Sequence, residues 1–231
     1  MTAHENDSVA GFSCWQDAAN GARVCFAGRP LNGTSGERPA DLAALTPPGR
    51  RPSWLRQVHS ATVVEAVPGE SGEGDALVSS SDEMALSIVT ADCVPVLIAG
   101  SGQIAAVHAG WRGIAGRIVD ATLKNFSEPS VAWIGPAIGA CCYEVGGDVA
   151  DRVVEALPEP ADVLQPGGRG RPHLDLRQAV ELQLRAGGVQ DIRHLGPCTR
   201  CHEASLWSYR RDGRAAGRNY ALIWKEDSIS S

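Results

Sequence analysis

From Asp75 onward the chain repeats one pattern: short apolar runs, rich in β-branched residues, separated by turn formers. Ala76-Leu77-Val78, Ala85-Leu86-Ser87-Ile88-Val89, Val94-Pro95-Val96-Leu97-Ile98 and Ile104-Ala105-Ala106-Val107 are too short and too apolar for helices of a soluble domain, and predict buried strands. Upstream, residues 57–67 carry Val58, Val63, Val64 and Val67 and predict a strand, with a loop over 68–74. Residues 31–53 are rich in Gly, Pro and Arg and read as a surface excursion with one short helix near Asp41–Leu45. Downstream the period changes. Ile114, Ile118, Ala121 and Leu123 predict a helix over 114–126, Val149, Val153 and Val154 one over 145–157, and Leu176 to Arg185 a third. Asp175 is placed to cap the third helix and Gly187-Gly188 to stop it. Val131-Ala132-Trp133-Ile134 and Asn219 to Trp224 predict two more strands. The sum is an α/β (α+β) chain of mixed β-sheets with flanking helices, in one domain over residues 1–231.

Composition agrees with a globular core: 231 residues, 43% hydrophobic and 21% charged. The longest apolar run, Met84 to Gly100, is interrupted by Asp92 and Pro95 and falls short of the roughly 20 residues that span a bilayer. Met1 to Asp7 has neither a basic nor an apolar region, so no signal peptide is expected and the chain reads as cytoplasmic, with no membrane partner. A formal net charge of −6 argues against nucleic acid as a partner. No obligate protein partner is evident. The seven cysteines are odd in number, which points to reduced thiols or a metal site rather than a disulfide framework.

His59, Cys93 and His108 each lie at the end of a predicted strand, where side chains converge at a sheet edge. Two imidazoles and a thiolate suit zinc or copper, and three protein ligands leave one position open for chemistry. The same residues also permit a nucleophilic Cys93 with His108 or His59 as base, although Asp92 beside it would raise the thiol pKa. Cys198-Thr199-Arg200-Cys201-His202 has the form of a haem-attachment motif, which needs export, or of a zinc knuckle with His194 or His202. Arg210, Arg211 and Arg218 near glycines suit an anion, or an arginine–aspartate pair with Asp212. Gly135 to Tyr143 is a glycine-rich turn without nucleotide-binding spacing.

In order along the chain stand Gln57-Val58-His59, Gly74-Asp75-Ala76-Leu77-Val78, Thr90-Ala91-Asp92-Cys93-Val94-Pro95-Val96 and Ala106-Val107-His108-Ala109-Gly110-Trp111-Arg112-Gly113. Ile134-Gly135-Pro136, Cys142-Tyr143-Glu144-Val145, Cys198-Thr199 and Ser208-Tyr209-Arg210-Arg211-Asp212 follow. Together, over about residues 55–224, they resemble the laccase-domain or YfiH-like family, described both as multi-copper polyphenol oxidoreductases and as purine nucleoside phosphorylases. One part departs. Family members carry a Thr-Arg-x-Gly-Gly-x-Ser stretch after an N-terminal Gly-Phe, whereas here Gly11-Phe12-Ser13 leads into Cys14-Trp15-Gln16-Asp17. Residues 1–53 are therefore the divergent part.

The resemblance implies a fold like that of YfiH and of deamidating-toxin catalytic domains. It implies zinc, with copper as the alternative, on His59, Cys93 and His108. It implies phosphorolysis of adenosine, inosine and guanosine to base and ribose 1-phosphate, with methylthioadenosine cleavage and adenosine deamination alongside. Nucleosides and phosphate are then the partners. In that chemistry Arg112 and Arg210 or Arg211 are expected to neutralise phosphate, and Asp75 to protonate the leaving base. The alternatives are a copper polyphenol oxidase, a Cys-His hydrolase and a peptidoglycan editing factor.

Overall fold

Alternate residues of the apolar runs enter different cores. Val96 and Ile98 face one, Leu97 and Ala99 the next; Ala105 and Val107 divide from Ile104 and Ala106 in the same way. Both faces of these strands are covered, which is why their sequences lack a polar face. The computed structural model describes residues 8–31 and 38–226. The N-terminal tail with His4, and the 32–37 part of the expected surface excursion, lie outside the described residues.

Two sheets stack. The first has the order Ser8–Val9, Phe12–Ala19, Ala22–Pro30, Asn219–Lys225, Met84–Thr90, Arg51–Arg56, Gly69–Glu73. The second has the order Asp191–His194, Val131–Ile134, Val94–Gly100, Gln103–Ala109, Ala76–Ser79, Val63–Glu65. Trp15, Phe26, Leu86, Ile88, Leu97, Ile104 and Trp133 fill the space between them. Helices Ile118–Leu123, Gly147–Glu155 and Leu176–Ala186 cover the outer face of the second sheet through Ile118, Val153, Val180 and Leu184. Helix Arg38–Leu45 covers the outer face of the first through Leu42 and Leu45. This is the mixed α/β single-domain fold expected.

The structure departs from the sequence reading in three places. The strand expected over 57–67 is instead Arg51–Arg56 and Val63–Glu65, with an irregular loop between, and Gly69–Glu73 pairs where a loop was expected. The loop is held by Asp75, as described below. The helix expected over 114–126 is two, Trp111–Ala115 and Ile118–Leu123. Arg117 between them is left-handed (φ +59°), a conformation that ends a helix, and its guanidinium reaches Ala156 O at 3.0 Å. The strand Phe12–Ala19 and the short helix Tyr209–Asp212 add to what was expected. The Leu176–Ala186 helix is capped by Asp175, whose carboxylate accepts from Gln178 N–H at 3.0 Å, as expected. No helix among the described residues is long and apolar enough to cross a membrane.

Candidate active site

The site forms where the chain passes from one sheet to the other. Met84–Thr90 belongs to the first sheet and Val94–Gly100 to the second, so Ala91, Asp92 and Cys93 bridge the two. Asp92 takes a positive φ of +93° at this turn, a strained backbone for a residue with a side chain. Its buried carboxylate accepts from Thr199 Oγ1 at 2.6 Å and Arg210 N–H at 2.7 Å, and its carbonyl from Ile138 N–H at 2.9 Å. Three distant segments thus hold the turn that carries Cys93.

His59 lies in the irregular loop. Gln57 anchors the start of that loop: its amide donates to Val89 O at 2.8 Å and accepts from Val89 N–H at 2.9 Å. Beyond it, the backbone N–H groups of Val58, His59 and Ser60 all donate to the Asp75 carboxylate, at 3.3, 3.0 and 2.5 Å. Three successive amides turned to one anion cannot also join a strand ladder. This is the physical reason the valine-rich segment is a loop, and why His59 has φ +61°.

Asp75 also accepts from the Ser60 hydroxyl and from His108 Nδ1, each at 2.8 Å. Burial pushes its pKa up, but the hydrogen bonds from His108 and Ser60 outweigh that and hold it at about 2. Asp75 is therefore a fully engaged carboxylate, without the proton that a general acid must carry. Its place is behind His108, holding a proton on Nδ1 so that Nε2 is the nitrogen that would face a metal.

The ligand atoms of His59, Cys93 and His108 lie within 4.8 Å of one another. The two imidazole rings meet edge to face at 4.8 Å between centroids. Burial opposes the Cys93 thiolate, yet hydrogen bonds from His108 and His59 bring its pKa down to about 6. Burial likewise opposes a charged His108, which Asp75 and Cys93 raise to about 9. Gly110 makes room: a Cβ there would stand 3.1 Å from Cys93 Sγ and 3.2 Å from His59 Cδ2. Two imidazoles, a thiolate and a carboxylate behind one imidazole are the donor set of an open zinc site, so the residues fit that ion.

The triad lines a cleft of about 650 Å³, within the range of small-molecule sites. Trp111, Tyr143 and Tyr209 give it aromatic walls, and Arg38, Arg56, Arg210 and Arg218 a basic lining. Tyr209 is 56% exposed, a large aromatic at the cleft without a core to pack in. Burial, then the nearby Cys93, push the Tyr143 phenol up to about 12, so it keeps its proton. Of the expected phosphate-binding arginines, Arg210 is in the cleft, 5.0 Å over the Tyr143 ring. Arg112 stacks on Trp111 at 4.4 Å in a neighbouring groove. Arg211 is engaged with Asp212 and with the carbonyls of Thr199, Arg200 and Leu206. Arg38 and Arg56 escaped the sequence reading, and Tyr143 and Tyr209 stood inside its motifs without a role. An aromatic inside an arginine- and glycine-rich turn, as Tyr209 is, was the available signal.

The other expected metal site is rearranged. His194 pairs with Glu181 at 2.8 Å, and His202 Nδ1 lies 3.3 Å from Cys198 O. Cys198 and Cys201 instead meet Cys141 and Cys142.

The chain resembles proteins from several bacteria. It is 42% identical over 183 residues to a purine nucleoside phosphorylase of Pseudomonas aeruginosa, covering 77% of this chain and 75% of that one. It is 35% identical over 184 residues to the purine nucleoside phosphorylase YfiH of Escherichia coli, covering 75% and 74%. A crystal structure from Neisseria meningitidis superposes with a TM-score of 0.80 at 30% identity, over 94% of this chain and 100% of that one. That match necessarily reaches into the divergent residues 1–53. The crystal structure of YlmD from Geobacillus stearothermophilus gives a TM-score of 0.76 at 27% identity, over 90% and 93%. The profile described as multi-copper polyphenol oxidoreductase laccase matches residues 37–226, and with these relatives the chain belongs to that family, the YfiH-like proteins.

Proposed function

We propose that the chain cleaves purine nucleosides by phosphorolysis at the cleft holding His59, Cys93 and His108. The observation that carries this reading is the meeting of three candidate metal ligands, aromatic walls and arginines in one cleft of about 650 Å³. The relatives' naming as purine nucleoside phosphorylases supports it. Zinc on His59, Cys93 and His108 would supply Lewis acidity at the open position, polarising a bound oxygen. Tyr209 and Trp111 stack the purine. Arg210, with Arg38 and Arg218, neutralises phosphate as its oxygen bonds to the anomeric carbon and the glycosidic C–N bond breaks. The departing base needs a proton on nitrogen. Tyr143, whose phenol lines the cleft, is the donor assigned, since both Asp75 oxygens are engaged as acceptors. Replacing Tyr209 by alanine should raise KM for the nucleoside more than it lowers kcat.

Among the described residues, His173, His194 and His202 lie outside the triad and form no second histidine group. One centre with two histidines supports single-metal nucleoside chemistry over a multi-copper oxidase. Adenosine deamination, with the C6 amino group leaving as ammonia, would use the same cleft. Free thiols throughout support a reducing, cytoplasmic setting. The test is product analysis after incubation with adenosine, with and without phosphate. Adenine and ribose 1-phosphate, formed only with phosphate, are expected. Inosine formed without phosphate would make deamination the main activity. Absence of all three products from zinc-loaded protein would overturn the reading.

A further inference from the structure

Cys141, Cys142, Cys198 and Cys201 come from two loops about sixty residues apart, yet their sulfurs all lie within 4.8 Å of one another. Cys142 and Cys201 are 3.4 Å apart, Cys141 and Cys142 3.6 Å, and Cys141 and Cys201 3.8 Å. These separations are far from the ~2.05 Å of a disulfide. They match the edge of a sulfur tetrahedron around a zinc ion, about 3.8 Å for a Zn–S bond of ~2.3 Å. We propose that these four cysteines form a second metal site, a structural zinc held by four thiolates.

The loops are built to bring the sulfurs together. Ala137 and Cys198 form an isolated parallel bridge, and Thr199 N–H donates to Ala137 O at 3.1 Å. Half-buried Arg177 clamps the same two loops, donating to Ala137 O at 3.3 Å, Pro197 O at 2.6 Å and Gly196 O at 3.2 Å. Its guanidinium also offsets charge, because four thiolates around a divalent cation leave a net charge of about −2. Gly139 is required between the loops: a Cβ there would press on Cys141 Sγ at 3.3 Å and Cys198 Cβ at 3.4 Å.

A second observation shows Cys198 as a hydrogen-bond acceptor. The Gly139 N–H donates to Cys198 Sγ at 3.2 Å. An amide turned onto the first sulfur of a Cys-x-x-Cys turn is what a metal-bound sulfur needs, since it accepts and cannot donate. The other three thiols crowd without such donors. A cation at the centre resolves that crowding. Both loops continue into the cleft wall: Ile138 and Tyr143 from one, and Arg210 through Thr199 and Asp92 from the other. Zinc here would brace that wall from behind without touching substrate.

The test uses zinc content of the purified, reduced full-length protein. About two zinc ions per chain are expected in the wild type, about one in C93A, and about one in the double variant C141S/C201S. Cobalt-loaded C93A keeps all four thiols and should show strong sulfur-to-cobalt charge-transfer absorption, lost in C93A/C141S/C201S. C93A has lost the cleft centre, so its metal reports on the cluster whatever the enzyme's substrate proves to be. Wild type with one zinc that vanishes in C93A would overturn the proposal. So would a disulfide between any two of the four in freshly isolated protein, seen as a two-hydrogen mass deficit. If C141S/C201S fails to fold, the cobalt spectrum of C93A alone decides: no thiolate absorption refutes the site.

Discussion

Replacing Asp75 by asparagine exchanges one carboxylate oxygen for an amide of nearly the same size. In the native site Oδ1 accepts from His59 N–H and His108 Nδ1. Oδ2 accepts from Val58 N–H, Ser60 N–H and the Ser60 hydroxyl. An amide has only one accepting atom. With that atom toward His108, the new NH2 meets the N–H groups of Val58 and Ser60, donor against donor. Turned over, it orphans His59 N–H and moves the His108 proton to Nε2, the nitrogen needed for metal. Each unpaired donor costs ~1–3 kcal/mol, and with part-buried donors the first arrangement amounts to about 2–4 kcal/mol. That is a large share of the ~5–15 kcal/mol that holds a domain folded. Losing the carboxylate behind His108 should also weaken zinc by about 10–100-fold. Denaturant midpoints and zinc competition with a chelator measure the two effects separately. A D75N protein with wild-type midpoint and wild-type zinc affinity would refute the assignment of Asp75 as the organiser of the His59 loop and of His108.

Arg210→Ala should raise KM for phosphate with little loss of stability, whereas Arg211→Ala should lower the melting temperature with little change in KM, because the Arg211 side chain makes five hydrogen bonds within its own chain and Arg210 one, to Glu144 O. Initial rates at varied phosphate, set beside thermal melts, distinguish the two. Burial pushes Asp17 up, but Arg193 and the Trp133 indole outweigh that and hold its pKa below the ordinary value. Its contribution to stability is therefore complete above about pH 4, the unfolded value, and declines as pH falls through the folded pKa. Asp17→Asn should flatten that acid limb in denaturation midpoints measured across pH. Gly135→Ala would push a Cβ to 2.3 Å from the buried Phe26 ring. An overpacking loss of ~1–3 kcal/mol is expected in urea denaturation.

The central strands were readable because burial on both faces strips them of polar residues, and apolar runs are a local signal. The His59 loop was not. Its valines carry strand propensity, and only the Asp75 carboxylate, sixteen residues away, overrides it. The break at Arg117 escaped for a related reason: hydrophobic spacing continues through it, and the stop is a backbone conformation that spacing does not record. His59, Cys93 and His108 were candidates from chemistry, and the family motifs joined them. The partner of Cys198-x-x-Cys201 was hidden because nearby histidines looked as suitable as two cysteines sixty residues upstream.

In the first sheet, Asn219–Lys225 lies between Ala22–Pro30 and Met84–Thr90. In order of synthesis, two early segments must wait, side by side and unjoined, for a strand made more than a hundred residues later. Until it arrives, Met84–Thr90 has an open edge where the finished protein has a neighbour, and the turn that carries Cys93 hangs from that strand. Such non-local closure makes for slow folding and leaves an adhesive edge exposed in the meantime. Newly made chains should therefore depend on holding factors or low temperature during expression, and should gain metal at the cleft late, after the sheet is complete.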